Sequence, residues 1–174
     1  STHPKVISIG EIGLDYYYNI SSPKIQKRVF QEQLELASDI QLPYIIHCRD
    51  SDQDVLKIIQ NFNYRSGVIH CFASNLEFAE AIINEGLNIS FTGMITFVKD
   101  LEKVVDKISI NKIMIETDSP YLAPKPNRGK KNQPAWLIHI AQKIADIKKI
   151  SIEEVAQITT RNAHNLFTKL NIAK

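Results

Sequence analysis

Ile113-Met114-Ile115-Glu116-Thr117-Asp118-Ser119-Pro120 is the stretch on which the fold of this 174-residue chain depends. It has the pattern of a short buried strand that stops at a proline, with two carboxylates, Glu116 and Asp118, at its carboxyl end. Because side chains alternate between the two faces of a strand, both carboxylates are predicted to lie on one face. A carboxylate in this position is energetically costly unless another group pairs with it. The sequence therefore predicts a partner for Asp118 elsewhere in the chain.

Strand and helix patterns alternate along the rest of the chain. Apolar runs predict five strands, at residues 6–13, 44–47, 67–72, 87–91 and 113–118. Amphipathic segments between them predict helices, and three more helices follow the last strand, at residues 134–148, 151–160 and 162–169. Ser51, Ser74 and Ser151 each precede an acidic residue in the pattern of a helix N-cap. This order favours an α/β fold with a parallel sheet, in a single domain over residues 1–174.

Composition narrows the class of protein. Hydrophobic residues make up 44% of the chain and charged residues 23%, which is typical of a soluble globular domain. The net charge of +2 neither requires nor opposes a nucleic-acid partner. Because Cys48 and Cys71 are the two cysteines, a disulfide framework is disfavoured and a reducing, cytoplasmic compartment is expected. No apolar run approaches the roughly 20 residues of a membrane span, so no membrane partner is expected.

Potential metal ligands stand at the ends of four of the predicted strands. They are Glu11, His47, His70 and Asp118. The carboxyl ends of parallel strands meet at one edge of the sheet, where the active sites of α/β folds form. One such histidine is more often a hydrogen-bonded core residue, and Glu11 alone could be an ion-paired strand end. Two imidazoles and two carboxylates together predict a divalent-metal site.

Strand alternation separates the cysteines from these ligands. If His47 faces the inside of the sheet, Cys48 faces the helices, and the same holds for His70 and Cys71. Both cysteines are therefore predicted to be packed thiols. The tyrosines at residues 16–18 could stack on bases, but packing within the loop is the simpler expectation.

Several motifs together resemble one known family. The segments are Gly10-Glu11-Ile12-Gly13-Leu14-Asp15-Tyr16, His47-Cys48-Arg49, Ile69-His70-Cys71-Phe72, Glu116 to Leu122, Arg128-Gly129 with Asn132 and Pro134, and Thr159 to Ala163. In this order they resemble the TatD family, metal-dependent deoxyribonucleases of the amidohydrolase superfamily. The resemblance extends over essentially the whole chain. It implies a TIM-type (β/α)₈ barrel, present here as a partial barrel of about five parallel strands with a helical C-terminal tail.

One departure from the family pattern is large. The family opens with a His-x-His pair at the end of its first strand, and this sequence has no His-x-His. The chain also lacks an initiator Met and starts almost at once with a strand pattern. We therefore expect it to represent the C-terminal two-thirds of a TatD-like barrel, without the N-terminal portion that carries this pair.

The resemblance also implies roles for the strand-end residues. Glu11 would bridge two divalent metal ions (Mg, Mn or Zn), and His47 and His70 would hold one of them. Asp118 would hold the other ion and act as the catalytic group that orients or deprotonates the attacking water. The implied reaction is hydrolysis of phosphodiester bonds in DNA, by an exonuclease that acts on single strands or 3′ ends in DNA repair or degradation.

Two arginines are predicted to bind this substrate. Arg128 lies in a basic, proline-rich loop directly after Asp118, at the predicted active-site edge. Arg49 follows His47 with the same strand parity, so it could hold a substrate phosphate or pair with Glu116. The sequence leaves these two contacts of Arg49 open.

Two other functions fit the same residues. A barrel with these ligands could hydrolyse amide or ester bonds, since a fold does not fix its function. Without the His-x-His pair, the chain could also be a catalytically impaired form of the nuclease that binds one ion. Five strands cannot close a barrel, so self-association through the open barrel edge is expected as well.

Overall fold

A parallel sheet organises the chain. The computed structural model describes residues 3–18 and 20–171. Each strand pairs in parallel with the next one in the chain, in the order β1 (Ile9–Asp15), β2 (Tyr44–Arg49), β3 (Gly67–Ile69), β4 (Asn88–Phe91) and β5 (Ile113–Ile115). The five predicted strands are confirmed, but β3 and β5 end sooner than predicted. His70 and Asp118 consequently lie in the loops that follow their strands.

Helices connect the strands and continue beyond them. They are α1 (Pro23–Asp39), α2 (Asp52–Gln60), α3 (Leu76–Asn84), α4 (Lys99–Lys107), α5 (Leu137–Lys148) and α6 (Ile152–Leu166). The sequence predicted two helices where α6 runs unbroken. Asn162 lies buried within α6, and its Nδ2 donates to the carbonyls of Ile110 and Ile113, so it anchors the helix to β5. No helix among the described residues is long and apolar enough to span a membrane.

Tertiary contacts override most of the predicted N-caps. The capping box of Ser151 and Glu154 at the start of α6 is confirmed in both directions. The Ser51 hydroxyl, however, donates to the carbonyl of Leu14 instead of capping α2. Ser74 hydrogen-bonds to Asp52, and Asn75 caps α3 instead.

The two faces of the sheet have different coverings. The outer face packs against the helices and forms the main core, whose members include Phe30, Leu34, Ile46, Ile69, Ile89, Ile113 and Ile144. Each such side chain contributes about 1.5–3 kcal/mol when fully buried. On the inner face, a second cluster joins the sheet to the end of α6, through Ile45, Val68, Met114, Ala163, Leu166 and Phe167.

The inner face is only partly covered by α6. Between the sheet and helices α5 and α6 lies a largely apolar groove of about 630 Å³ that reaches His70 and Glu116. The edge strands are β1 and β5, and neither pairs with a further strand among the described residues. The carboxyl edge of the sheet therefore borders an open apolar face.

Candidate metal centre

Three of the four predicted metal ligands meet at the carboxyl edge of the sheet. Ligand atoms of Glu11, His47 and His70 all lie within 4.8 Å of one another. Oε2 of Glu11 is 3.2 Å from Nε2 of His70 and 3.8 Å from Nδ1 of His47. The two ring nitrogens are 3.3 Å apart. We call Glu11, His47 and His70 the ligand trio.

The alternation of neighbouring strands brings the trio together. His47 shares the inner face with Ile45, and His70 follows Val68 on the next strand with the same parity. His70 is buried, whereas the Glu11 side chain is 56% exposed. One side of the trio is therefore open to solvent, as a site that admits a water or a substrate requires.

The cysteines have the environment of packed thiols. Cys48 packs against the main core, and the thiol of Cys71 contacts the Thr92 hydroxyl. Burial raises the pKa of each thiol to about 12. Both thiols are therefore packed as predicted, and neither belongs to the trio.

Asp118 lies beside the trio but is not one of its members. Burial raises its pKa, and the negative charges of Glu116 and Glu11 raise it further against the opposing effect of His70 and His47. The Asp118 carboxyl group therefore interacts electrostatically with all three residues of the trio. Strand parity does not fix its direction, since β5 ends at Ile115.

Left-handed backbone conformations recur along this edge of the sheet. Asp50, Cys71 and Asp118 follow β2, β3 and β5, and their φ angles are 53°, 47° and 51°. A non-glycine residue in a sparsely populated backbone region costs about 1–3 kcal/mol, and such residues cluster at functional sites. The loops after three strands thus carry strain at the edge where the ligands meet.

Asp15 hydrogen-bonds to the outer nitrogen of His47, and Glu116 lies at an ion-pair distance from the outer nitrogen of His70. Oδ2 of Asp15 is 3.0 Å from Nε2 of His47, and Oε2 of Glu116 is 3.6 Å from Nδ1 of His70. The sequence interpretation missed Asp15 and left Glu116 as one of two possible contacts of Arg49, whereas Glu116 lies near His70 and Arg49 lies over Tyr17. Asp15 lies beyond the predicted end of the first strand at residue 13, and only the observed extent of β1 places it four positions after Glu11 on the same strand.

Hydrogen bonds keep both of these carboxylates ionised. Burial raises the pKa of Asp15, but the backbone N–H groups of Tyr18 and Tyr17 and the ring of His47 outweigh that effect and lower it. Burial likewise raises the pKa of Glu116, and bonds from His70, Ser90 and the N–H of Cys71 outweigh it. The Ser90 hydroxyl and the Cys71 N–H donate to Oε1 of Glu116 over 2.6 and 2.7 Å.

Both predicted substrate-binding arginines lie over aromatic rings at the same edge. The guanidinium of Arg49 is 3.8 Å from the ring centroid of Tyr17 and 5.0 Å from that of Tyr18. The guanidinium of Arg128 is 3.7 Å from the centroid of Phe97. We call these five residues the cation–aromatic rim.

The three consecutive tyrosines have separate environments. Tyr16 packs into the loop, where its hydroxyl donates to Asp54 over 2.7 Å, as the packing interpretation predicts. Tyr17 and Tyr18 are 59% and 63% exposed. Their rings are therefore accessible next to Arg49.

The donor set of the trio fits a divalent metal ion. Two imidazole nitrogens and one carboxylate oxygen converge, a combination that binds zinc and related divalent ions. Each imidazole also has a carboxylate on its other nitrogen, which is the usual arrangement around a metal-bound histidine. The trio could thus hold one ion and leave coordination positions open towards solvent.

Comparison with known protein sequences finds metal-dependent hydrolases and TatD proteins. The family model described as TatD related DNase matches residues 1–168. The uncharacterized metal-dependent hydrolase YabD of Bacillus subtilis is 42% identical over 171 residues, which cover 96% of this chain and 67% of that protein. The 3′-5′ ssDNA/RNA exonuclease TatD of Salmonella typhimurium is 34% identical over 177 residues, which cover 96% of this chain and 68% of that protein.

Solved structures of similar proteins have the same architecture. The TatD homologue YJJV from Escherichia coli superimposes with a TM-score of 0.89 at 28% identity, over 94% of this chain and 64% of that one. A TatD family hydrolase from Entamoeba histolytica gives a TM-score of 0.85 at 30% identity, with the same coverage of 94% and 64%. The predicted TIM-barrel type of fold is thereby confirmed. The chain spans about two-thirds of the length of these proteins.

Proposed function

This chain belongs to the TatD family of metal-dependent hydrolases, and we propose that it hydrolyses phosphodiester bonds in DNA as an exonuclease. The observation that carries the proposal is the ligand trio at the carboxyl edge of the sheet. One similar protein is named as an exonuclease on single-stranded DNA and RNA, which supports the substrate class.

The residues around the trio suit hydrolysis by an activated water. A divalent ion bound there would lower the pKa of its water and offset charge on the phosphate. Asp118 is proposed as the catalytic base, because a carboxylate with a raised pKa accepts a proton more readily near neutral pH. Glu11 is proposed to bridge to a second ion that Asp118 would also hold, with Mg, Mn or Zn as the metal.

The cation–aromatic rim supports a single-stranded substrate or a 3′ end. A guanidinium can bind a phosphate through two hydrogen bonds. Exposed rings such as those of Tyr17 and Tyr18 can stack on bases that are not paired in a duplex. Arg49 and Arg128 are therefore proposed to bind the DNA backbone.

An exonuclease assay with a short 5′-labelled single strand tests this function. We expect cleavage with Mg²⁺ or Mn²⁺, and its loss on chelation and in His47→Ala and Asp118→Ala. Arg49→Ala should raise KM more than it lowers kcat, while Arg28→Ala on the exposed face of α1 serves as the matched arginine control. Full activity in His47→Ala would overturn the proposed site.

The apolar groove favours a second candidate function. Its lining is mainly apolar and reaches His70 and Glu116, so a neutral ester or amide could lie there. Hydrolysis of an apolar ester by a preparation that does not cleave DNA would favour this candidate. Metal binding without either activity would instead favour a catalytically impaired form of the nuclease.

Three further proposals concern the assembly, domain organisation and location of the chain. A second copy of the chain is proposed to cover the groove between the sheet and helices α5 and α6, which sedimentation over a range of concentrations would detect as a dimer. Residues 1–174 are proposed to form a single domain, so that unfolding occurs in a single cooperative transition.

The free thiols of Cys48 and Cys71 support a reducing, cytoplasmic location.

A further inference from the structure

A second pocket lies at the amino edge of the sheet, opposite the edge that carries the ligand trio. Ser66 directly precedes β3, Asn88 begins β4, and Lys112 directly precedes β5. These residues help to line a pocket of about 270 Å³. Its described lining consists of polar residues and Leu166, and none of them is acidic. We call this site the amino-edge pocket.

Two cations of the amino-edge pocket meet at Gly86, which follows α3. Nζ of Lys112 donates to the carbonyl of Gly86 over 2.8 Å. A Cβ built on Gly86 would lie 3.7 Å from Cβ of Arg65, so the Arg65 side chain starts beside the same residue. Like charges that line one pocket repel each other, and an anion bound in the pocket would offset that repulsion.

Both cations have N–H donors beyond their contacts within the fold. Nη2 of Arg65 lies 3.2 Å from Oε2 of Glu85 and donates to the carbonyl of Gln60 over 3.4 Å. Nη1 of Arg65 is buried and has no hydrogen-bond partner among the described residues. A lysine has three N–H donors, and the carbonyl of Gly86 uses one of those of Lys112. A buried donor without an acceptor is unusual and points to an ion or a water that completes its bonds.

The uncharged groups of the pocket add further donors. Nη2 of Arg161 donates to Oδ1 of Asn111 over 3.1 Å, which leaves the amide nitrogen of Asn111 as a donor. Asn88 and Ser66 supply another amide and a hydroxyl at the starts of their strands. The last turn of α6 also borders the pocket, but a helix end carries only about half an elementary charge, less than the full charges of the cations.

We propose that the amino-edge pocket binds a small oxyanion of the size of inorganic phosphate, held by Arg65 and Lys112. Hydrogen bonds from charged donors to an oxyanion are among the strongest in proteins. The pocket is smaller than the roughly 300–1,000 Å³ of sites for larger organic ligands, so a phosphate fits it better than a nucleotide does. This site is separate from the metal centre, and the inference does not depend on the proposed nuclease activity.

Calorimetric titration of the protein with inorganic phosphate tests the proposal. We expect saturable binding that weakens as the NaCl concentration rises, because salt screens the attraction between the charges. Lys112→Gln and Arg65→Gln should each raise the Kd about tenfold or more, which corresponds to the loss of one charged hydrogen bond. Lys103→Gln on α4 and Arg28→Gln on α1 remove exposed cations and should keep the wild-type Kd.

NMR locates the bound phosphate without any substitution. In protein labelled with ¹⁵N, phosphate should shift the backbone amide signals of Ser66, Asn88 and Asn111 more than that of Arg49 at the opposite edge. This readout keeps the proposal testable if Arg65→Gln does not fold. Phosphate should also raise the urea midpoint of the wild type, and Lys112→Gln should reduce that increase.

Phosphate could instead bind at the metal centre or at the cation–aromatic rim, so His47→Ala and Arg49→Gln are titrated as well. Binding that weakens in Lys112→Gln and not in these two variants supports the amino-edge pocket, whether or not the protein cleaves DNA. Wild-type affinity in Lys112→Gln, or binding that is lost in His47→Ala or Arg49→Gln, overturns the proposal and leaves the proposed function in place. A wild-type protein that binds no phosphate at millimolar concentrations overturns it as well.

Discussion

Gly13 links the backbone of β1 directly to the position of His47. Its φ is 134°, which L side chains rarely adopt, and a Cβ built on it would lie 2.0 Å from the carbonyl oxygen of His47. Gly13→Ala therefore adds about 1–3 kcal/mol of backbone strain to an overpacking cost of about 1–3 kcal/mol or more. We expect the free energy of unfolding to fall by about 2–6 kcal/mol, out of the roughly 5–15 kcal/mol that a typical domain has.

Substitutions at two other glycines measure the cost of the backbone strain and the cost of the close contact separately. Gly129 has a φ of 82° with nothing within 4 Å of a built Cβ, so Gly129→Ala should cost only about 1–2 kcal/mol. At Gly93 the built Cβ would lie 2.1 Å from the carbonyl oxygen of Leu122, without a positive φ, so Gly93→Ala measures the contact alone. Urea unfolding followed by circular dichroism gives all three values. A Gly13→Ala protein as stable as Gly129→Ala would refute the reasoning.

The same substitution should affect the metal centre. Since the carbonyl that must move belongs to His47, Zn²⁺ affinity should fall in any Gly13→Ala protein that still folds. Gly129→Ala should retain the wild-type affinity, because its new methyl group meets no atom. Unchanged affinity in Gly13→Ala would mean that the strand relaxes without displacing the imidazole.

Three further predictions concern stability. Zn²⁺ at 100 times its Kd should raise the free energy of unfolding by about 2.7 kcal/mol, and His70→Ala should abolish this increase. Asn162→Ala leaves two carbonyls without their donor and should cost about 1–3 kcal/mol in urea unfolding, whereas Asn165→Ala on the exposed side of α6 should be neutral. The N–H and hydroxyl of Ser151 lower the pKa of Glu154 below 4.5, so its stabilisation is present above that pH and is lost as the pH falls further. The urea midpoints of wild type and Glu154→Gln should therefore differ at pH 7 and converge in acid.

Local pattern predicted the order of the elements well. The alternation of apolar runs with amphipathic segments specified the five strands and the helices between them. The prediction failed where a distant contact decided the outcome. Asn162 has a modest helix propensity, yet its buried bonds to the carbonyls of Ile110 and Ile113 keep α6 continuous. Ser51 has the pattern of a cap but bonds to β1 instead.

The sequence predicted part of the candidate site, just as it predicted part of the fold. Glu11, His47 and His70 were found because each follows an apolar run, and parallel strands bring such ends together. Asp15 was missed because it lies beyond residue 13, where the first strand was predicted to end. The partner of Glu116 could not be read from parity, because Arg49 and His70 both share its face and only their distances separate them.

Sequence alone determined which residues stand at the carboxyl ends of the strands and which face they share, because period-two alternation is a local property of the chain. It therefore specified the chemistry of the site as two imidazoles and several carboxylates. Only the tertiary structure decided how these groups pair, since each pairing depends on distances between atoms far apart in the chain. The bond between Asp15 and His47 spans 32 residues, and that between Glu116 and the N–H of Cys71 spans 45. Such contacts bring polar strand ends together as a set of candidate metal ligands.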